Sequence, residues 1–280
     1  MWKEAGRTRD GQVFHVSADS IDGTLEVTVI APLLGVPPGV KLPAVYVLDP
    51  LLMLDLVSGT KRLFDVFSGG AVSPAYVIGV GYVDPDPASR RLRDCTPTVA
   101  DLPRGLLHPN ALGSGGAARF LDCLRQEIIP HLEQNCPLDP SARLLVGYSI
   151  SGLFGAYTLL THPDSFARYL LISPSLWWDN SWIFRQEASW AGAHSDLPAK
   201  VMLVVGEAEE RPGGGWPNLS LPDEVGLALR QVSNVRELGQ RLADRHYPGL
   251  HLRTMIIPDG YHITALPGEI SLGLVEAFAL

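Results

Sequence analysis

Cysteine is scarce in this sequence, and what there is does not fall into pairs. Cys95, Cys123 and Cys136 are the whole complement. The number is odd and no C-x-x-C spacing occurs, so neither a disulfide framework nor a zinc site is suggested. Buried or idle thiols are the simpler reading. Long apolar runs are missing too. No stretch reaches the ~18 uninterrupted apolar residues of a membrane span. The opening "MWKEAGRTRDGQVF" has no apolar h-region, which reads as no signal peptide, and the sequon at Asn218 then means little. A soluble cytoplasmic protein is expected. Positive charge is also in deficit: 22 Lys and Arg stand against 30 Asp and Glu, a formal net charge of −8. That argues against a nucleic-acid partner, because phosphate neutralisation needs clustered cations. There is no H-E-x-x-H, no phosphate-cradling glycine loop and no EF-hand pattern, so no metal, nucleotide or other cofactor is implied.

What is plentiful is apolar material. Hydrophobic residues make up 46% and charged residues 19% of the 280. A large core can form and disorder is not expected. One α/β domain over residues 1–280 is the expectation. "QVFHVSADSIDGTLEVTVIAP" alternates around "DG" and reads as an antiparallel pair. After it, short apolar runs ("AVYVLDP", "AYVIGVGYV", "ARLLVGY", "FARYLLIS", "AKVMLVVGE", "LHLRTMIIPDG") alternate with helical patterns. That alternation predicts a mostly parallel central sheet of about eight strands with helices on both faces. The strand C-termini then share one edge, where ligands bind. Two stretches interrupt the pattern: a Pro/Gly-rich excursion over 84–116 and a candidate lid over 211–226, and long loops of this kind are usually functional.

The chemistry is sought at that edge. "LLVGYSISGLFGAY" places Ser149 between an apolar strand and a small-residue helix. The usual nucleophile elbow reads G-x-S-x-G; here Gly147 is in place, Ser151 stands at the fifth position and Gly152 follows one place late. A serine there can also be a plain helix N-cap. Glu207, Glu209 and Glu210 lie just past the next-but-one strand, and His262 follows the last. The order serine, acid, histidine, each beyond a strand end, is that of the α/β-hydrolase triad. Ser149 is therefore the candidate nucleophile and His262 the candidate base. Glu209 is the first choice of acid, with Glu207 and Glu210 open. The N–H of Ile150 is one candidate oxyanion donor. Pro50 has no N–H, so Leu51 is the candidate for the second.

These residues resemble the putative-esterase family of α/β-hydrolases, the group of esterase D-like and enterobactin-type ferric-siderophore esterases. "AVYVLDP" resembles the family's YVLDG segment, "RRLRDCTPT" its R-x-R-D-x-T-P loop, and "GYSISGLFGAYTLLTHPDSFARYLLISPSLWWDN" its GHSLGGLFALY…ISPSLWW stretch. The resemblance implies the α/β-hydrolase fold and a serine esterase working through an acyl-enzyme on a small-molecule ester, with siderophore trilactones one substrate class. Ser149 and His262 match its nucleophile and base, and Glu209 an acidic position. Two departures stand out: GYSISG for GHSLGG, and Pro50 for glycine after Asp49. Trp177 and Trp178 read either as a wall of the substrate pocket or as core. Arg90, Arg91 and Arg93 read either as a face for an anionic substrate, with Arg93 the candidate contact, or as a solvated charge run. Acyl transfer to an alcohol, including macrolactone formation, uses the same intermediate, and a non-catalytic binding protein could use the same fold. Oligomeric state is not legible.

Overall fold

The structure, a computed structural model, describes residues 1–7, 11–100, 113–212, 223–264 and 266–279. Nine strands form one sheet: β1 (Trp2–Arg7), β2 (Gln12–Ser17), β3 (Thr24–Ile30), β4 (Leu42–Val47), β5 (Tyr76–Tyr82), β6 (Leu138–Tyr148), β7 (Arg168–Ile172), β8 (Ala199–Gly206) and β9 (Leu250–Ile257). Their order is β1-β2-β3-β5-β4-β6-β7-β8-β9. The first three strands and β5 pair antiparallel, and β5 onward is parallel. The division follows the sequence. β2 and β3 alternate, whereas β4 to β8 are apolar runs covered on both faces.

Alternate residues of the central strands feed two cores. Tyr46, Ile78, Leu145, Leu171 and Leu203 point to one; Val45, Val77, Val146, Leu170 and Val204 point to the other. The ten described helices are α1 (Pro50–Phe67), α2 (Pro87–Cys95), α3 (Ala117–Cys123), α4 (Ile129–Asn135), α5 (Ile150–Leu159), α6 (Trp178–Ser181), α7 (Ile183–Ala193), α8 (Asp223–Ala228), α9 (Gln231–Asp244) and α10 (Leu266–Phe278). Residues of α1 and α10 close the second core, while α3, α5, α7 and α9 contribute to the first. A π-turn over Leu124–Ile128 joins α3 to α4. It sits just before Pro130, whose missing N–H and bulky ring disfavour a regular α-turn there.

Two elements differ from the sequence reading. β1 is an additional strand: it is short, exposed and broken by a register shift between Glu4 and Gly6, so no alternation announces it. The 84–116 excursion contains α2. Asp86 caps it by accepting the N–H of Ser89 at 3.2 Å, and Pro87 fills its first turn; a proline there costs nothing because that N–H is unpaired anyway. Residues 101–112 of the excursion, and 213–222 of the 211–226 candidate lid with its Asn218 sequon, lie outside the described residues. Among the described residues no helix is long and apolar enough to cross a membrane.

The strand order reverses between β4 and β6. The chain leaves β4 through α1 on one face of the sheet and leaves β6 through α5 on the other. A crevice at such a reversal is where open α/β sheets bind ligands. Asp49 and Ser149 stand at its two lips.

Candidate active site

The turn from β6 into α5 holds Ser149 at φ 58° and ψ −115°. A non-glycine residue with this backbone is strained, and strain of this sort persists only where neighbours over-determine it. Here they do. The Ser149 N–H donates to the Ile172 carbonyl at 2.9 Å, and its own carbonyl accepts from Leu153 and Ser175 at 3.0 and 2.9 Å. Gly147 is the steric condition for the turn: a Cβ at that position would lie 2.3 Å from the Ser151 carbonyl oxygen. Ser149 makes no side-chain cap on α5. Its Oγ lies 3.3 Å from the Ser175 Oγ instead, at the positive end of a helix whose first N–H groups, Ile150 included, have no partner within the helix.

His262 follows β9 and is 4% exposed. Its Nδ1 is 2.6 Å from Glu209 Oε2. Glu209 sits in the short 3-10 turn Glu207–Glu210 after β8. Its other oxygen accepts from the Ser173 hydroxyl at 2.6 Å and the Gly206 N–H at 2.8 Å. These bonds fix the carboxylate, and the carboxylate fixes the imidazole. The neighbouring acids are engaged elsewhere. Glu207 pairs with Arg211 at 2.6 Å, and Glu210 accepts from the N–H and hydroxyl of Ser233. Asp259 also pairs with Arg211, at 2.9 Å. Of the three glutamates, the structure brings Glu209 to the histidine.

Tyr148 stands where the resembling motif has histidine. Its ring lies 4.7 Å from the His262 ring, and its hydroxyl donates to the His262 carbonyl at 2.8 Å. Burial, with help from Glu209, pushes its phenol well above the ordinary value, so it is a hydrogen-bond donor here and not an acid. Leu51 is the second residue of α1, so its N–H has no partner within the helix, while its side chain is 85% exposed. Pro50 packs into the sheet; a Cβ on Gly81 would come within 2.6 Å of its Cγ.

Two of the three candidate substrate contacts are engaged inside the fold. Trp178 is 1% exposed and its indole N–H donates to Thr98, so it is core. Arg93 is spent internally: its guanidinium grips Asp94 at 2.6 and 2.9 Å. The other two arginines of the run are also taken. Arg90 pairs with Asp84 at 2.8 Å, and Arg91 clamps Asp49 and donates to the Tyr148 carbonyl at 2.7 Å. Trp177 is less enclosed than Trp178. It is half-buried against the first core, and its indole N–H has no partner among the described residues. After the pair, Asp179, Asn180 and Ser181 take left-handed backbones at φ 48°, 54° and 56°, and the N–H groups of Ser181 and Trp182 bond back to the Trp177 and Trp178 carbonyls at 3.2 and 3.0 Å.

Sequence reasoning gives no place in the site to Ser173, Ser175 or Asp49, and takes Arg91 only as one of a charge run. Ser173 and Ser175 lie in "SPS", where a serine next to proline reads as a turn. Asp49 and Arg91 read as a loop acid and a surface cation. Only their spatial convergence gives them a role.

The family described as Putative esterase matches residues 18–255. Ferri-bacillibactin esterase BesA of Bacillus subtilis is 27% identical over 247 residues, covering 85% of this chain and 79% of that protein. The siderophore enterobactin esterase of Emericella nidulans is 31% identical over 225 residues, 75% of this chain and 73% of that one. Among solved structures, the siderophore hydrolase EstA from Aspergillus nidulans matches with a TM-score of 0.82 at 24% identity, over 95% of this chain and 93% of that chain. The BES protein from Bacillus cereus matches with a TM-score of 0.81 at 23% identity, over 99% and 98%. The fold is that of the α/β-hydrolases.

Proposed function

This chain belongs to the putative esterase family and is a carboxylic ester hydrolase, and from that premise we propose that it is a serine esterase of siderophores, with Ser149 the nucleophile, His262 the base and Glu209 the orienting acid. The observation that carries the site is the strained turn at Ser149 on one strand end, with the His262–Glu209 pair held on two others. Glu209 on Nδ1 leaves Nε2 as the nitrogen that works on the serine. Ser149 Oγ attacks the ester carbon while His262 takes its proton. The oxyanion that forms is held by the N–H groups of Ile150 and Leu51, both at helix N-termini. Collapse breaks the C–O bond to the alcohol, which leaves with the proton from His262. Water then repeats the sequence on the acyl-enzyme and releases the acid.

The substrate class rests on the relatives, whose names specify ferri-bacillibactin and enterobactin. Trp177 supports it, since a partly open aromatic face suits a planar aryl group. The arginine run does not contribute, because its charges are already neutralised. The unpaired thiols support a reducing, cytoplasmic setting. The test compares ferric enterobactin with p-nitrophenyl butyrate. The reading predicts a kcat/KM for the siderophore larger by about 100-fold, on the order of 3 kcal/mol of differential transition-state binding. A simple ester preferred by orders of magnitude contradicts it.

A further inference from the structure

The two candidate oxyanion donors lie on different helices that start from different strands, so something must hold them at a fixed separation. The residues between them suggest what does. Asp49 immediately precedes α1 and is 5% exposed. An aspartate there usually caps its own helix, but this one makes no side-chain bond to α1. Its carboxylate is turned the other way. Arg91 grips both its oxygens, with Nη2 at 3.0 Å from Oδ2, and the Ser151 hydroxyl donates to Oδ2. The same Ser151 oxygen accepts the Tyr148 N–H at 2.8 Å, and the same guanidinium donates to the Tyr148 carbonyl at 2.7 Å. Both backbone polar groups of the residue before the nucleophile are therefore tied to the residue just before α1. Because Asp49 does not cap α1 and Pro50 has no N–H to offer, the Leu51 N–H is left without a side-chain cap from Asp49.

We propose that Ser151, Asp49 and Arg91 form a positioning clamp that sets the separation of the Ile150 and Leu51 N–H groups, the hydroxyl at position 151 being the part a G-x-S-x-G elbow would lack. The inference rests on the oxyanion assignment above. None of the three residues touches the reacting atoms. Ser151 and Asp49 are buried, with Ser151 fully so, while Arg91 is 24% exposed; the contacts are charge-assisted, which makes the clamp stiff.

The experiment is a double-mutant cycle of Ser151→Ala and Asp49→Asn on p-nitrophenyl butyrate hydrolysis, with Ser149→Ala alongside and thermal unfolding recorded for each protein. Displacing one donor by a fraction of an ångström costs about 10- to 100-fold in rate. Each single variant is expected to lose that factor in kcat with KM changed by less than about threefold, and the double variant to be no slower than the worse single. If Asp49→Asn does not fold, Arg91→Lys, which cannot hold both carboxylate oxygens, replaces it in the cycle. A wild-type kcat in folded Ser151→Ala, a loss confined to KM, or losses that multiply would each overturn the clamp. Absence of any Ser149-dependent turnover in the wild type would instead count against the oxyanion and nucleophile assignments themselves.

Discussion

A single side chain decides whether the elbow exists, and it is the one that is missing at Gly147. The sequence places the steric demand on both flanks of Ser149, because the two flanking positions pack together. In the structure the demand falls on Gly147, facing the Ser151 carbonyl, while the Ser151 side chain folds back on Tyr148 and reaches Asp49. Position 151 therefore carries a hydroxyl without opening the turn. Gly147→Ala must push two backbone segments apart. It is expected to lower stability by about 1–3 kcal/mol and kcat by about 100-fold, read by urea unfolding and p-nitrophenyl butyrate kinetics. A Gly147→Ala enzyme with wild-type kcat would show that the turn does not need the close approach. Ser149 and His262 were legible because each follows an apolar run. Glu209 was legible only as one of three, since the choice among adjacent glutamates depends on which one Ser173 and Gly206 can reach.

At the scale of elements, legibility tracks burial. The central strands are covered on both faces, and their apolar runs show it. β1 is held by the β2 edge, and nothing in "WKEAGR" requires it to be a strand. α2 is hidden for another reason. Its composition is charged and proline-rich, so it reads as loop, yet Asp86-Pro87 is a helix start and Arg90, Arg91 and Arg93 each find a carboxylate. Arg91 ties α2 to Asp49 and the nucleophile turn, Arg90 and Arg93 reach the Asp22 carbonyl before β3, and the Arg93–Asp94 pair lies within α2 itself. A run that reads either as an anion-binding face or as a solvated charge run has each of its arginines paired with a carboxylate. The tryptophan pair divides the same way: only contact with Thr98 assigns Trp178 to the core, and adjacency in sequence could not separate it from Trp177.

At the scale of the whole molecule, a buried acid carries an electrostatic cost. Glu269 in α10 is 1% exposed, and neither of its carboxylate oxygens has a partner among the described residues. Burial, and next the charge of Glu209, push its carboxyl up from 4.5 to about 8. The folded state therefore holds this proton more tightly than the unfolded chain between those values. Stability from this group is complete below pH 4.5, falls as pH rises toward 8, and is lost above it. Glu269→Gln keeps the shape of the protonated acid and cannot ionise. The variant should match the wild type near pH 5 and exceed it at pH 9 by roughly 2–4 kcal/mol, measured as the difference in urea unfolding free energy. Parallel curves from pH 5 to 9 would rule this cost out.

The central claim is that ester cleavage passes through Ser149. The most direct measurement treats the protein with a fluorophosphonate, follows p-nitrophenyl butyrate turnover as labelling proceeds, and maps the adduct by mass spectrometry, with Ser149→Ala in parallel. The account predicts one adduct per chain, on the peptide containing Ser149, with activity falling in step with its formation and both absent from the variant. Turnover that survives complete labelling, or that persists in Ser149→Ala, would contradict it.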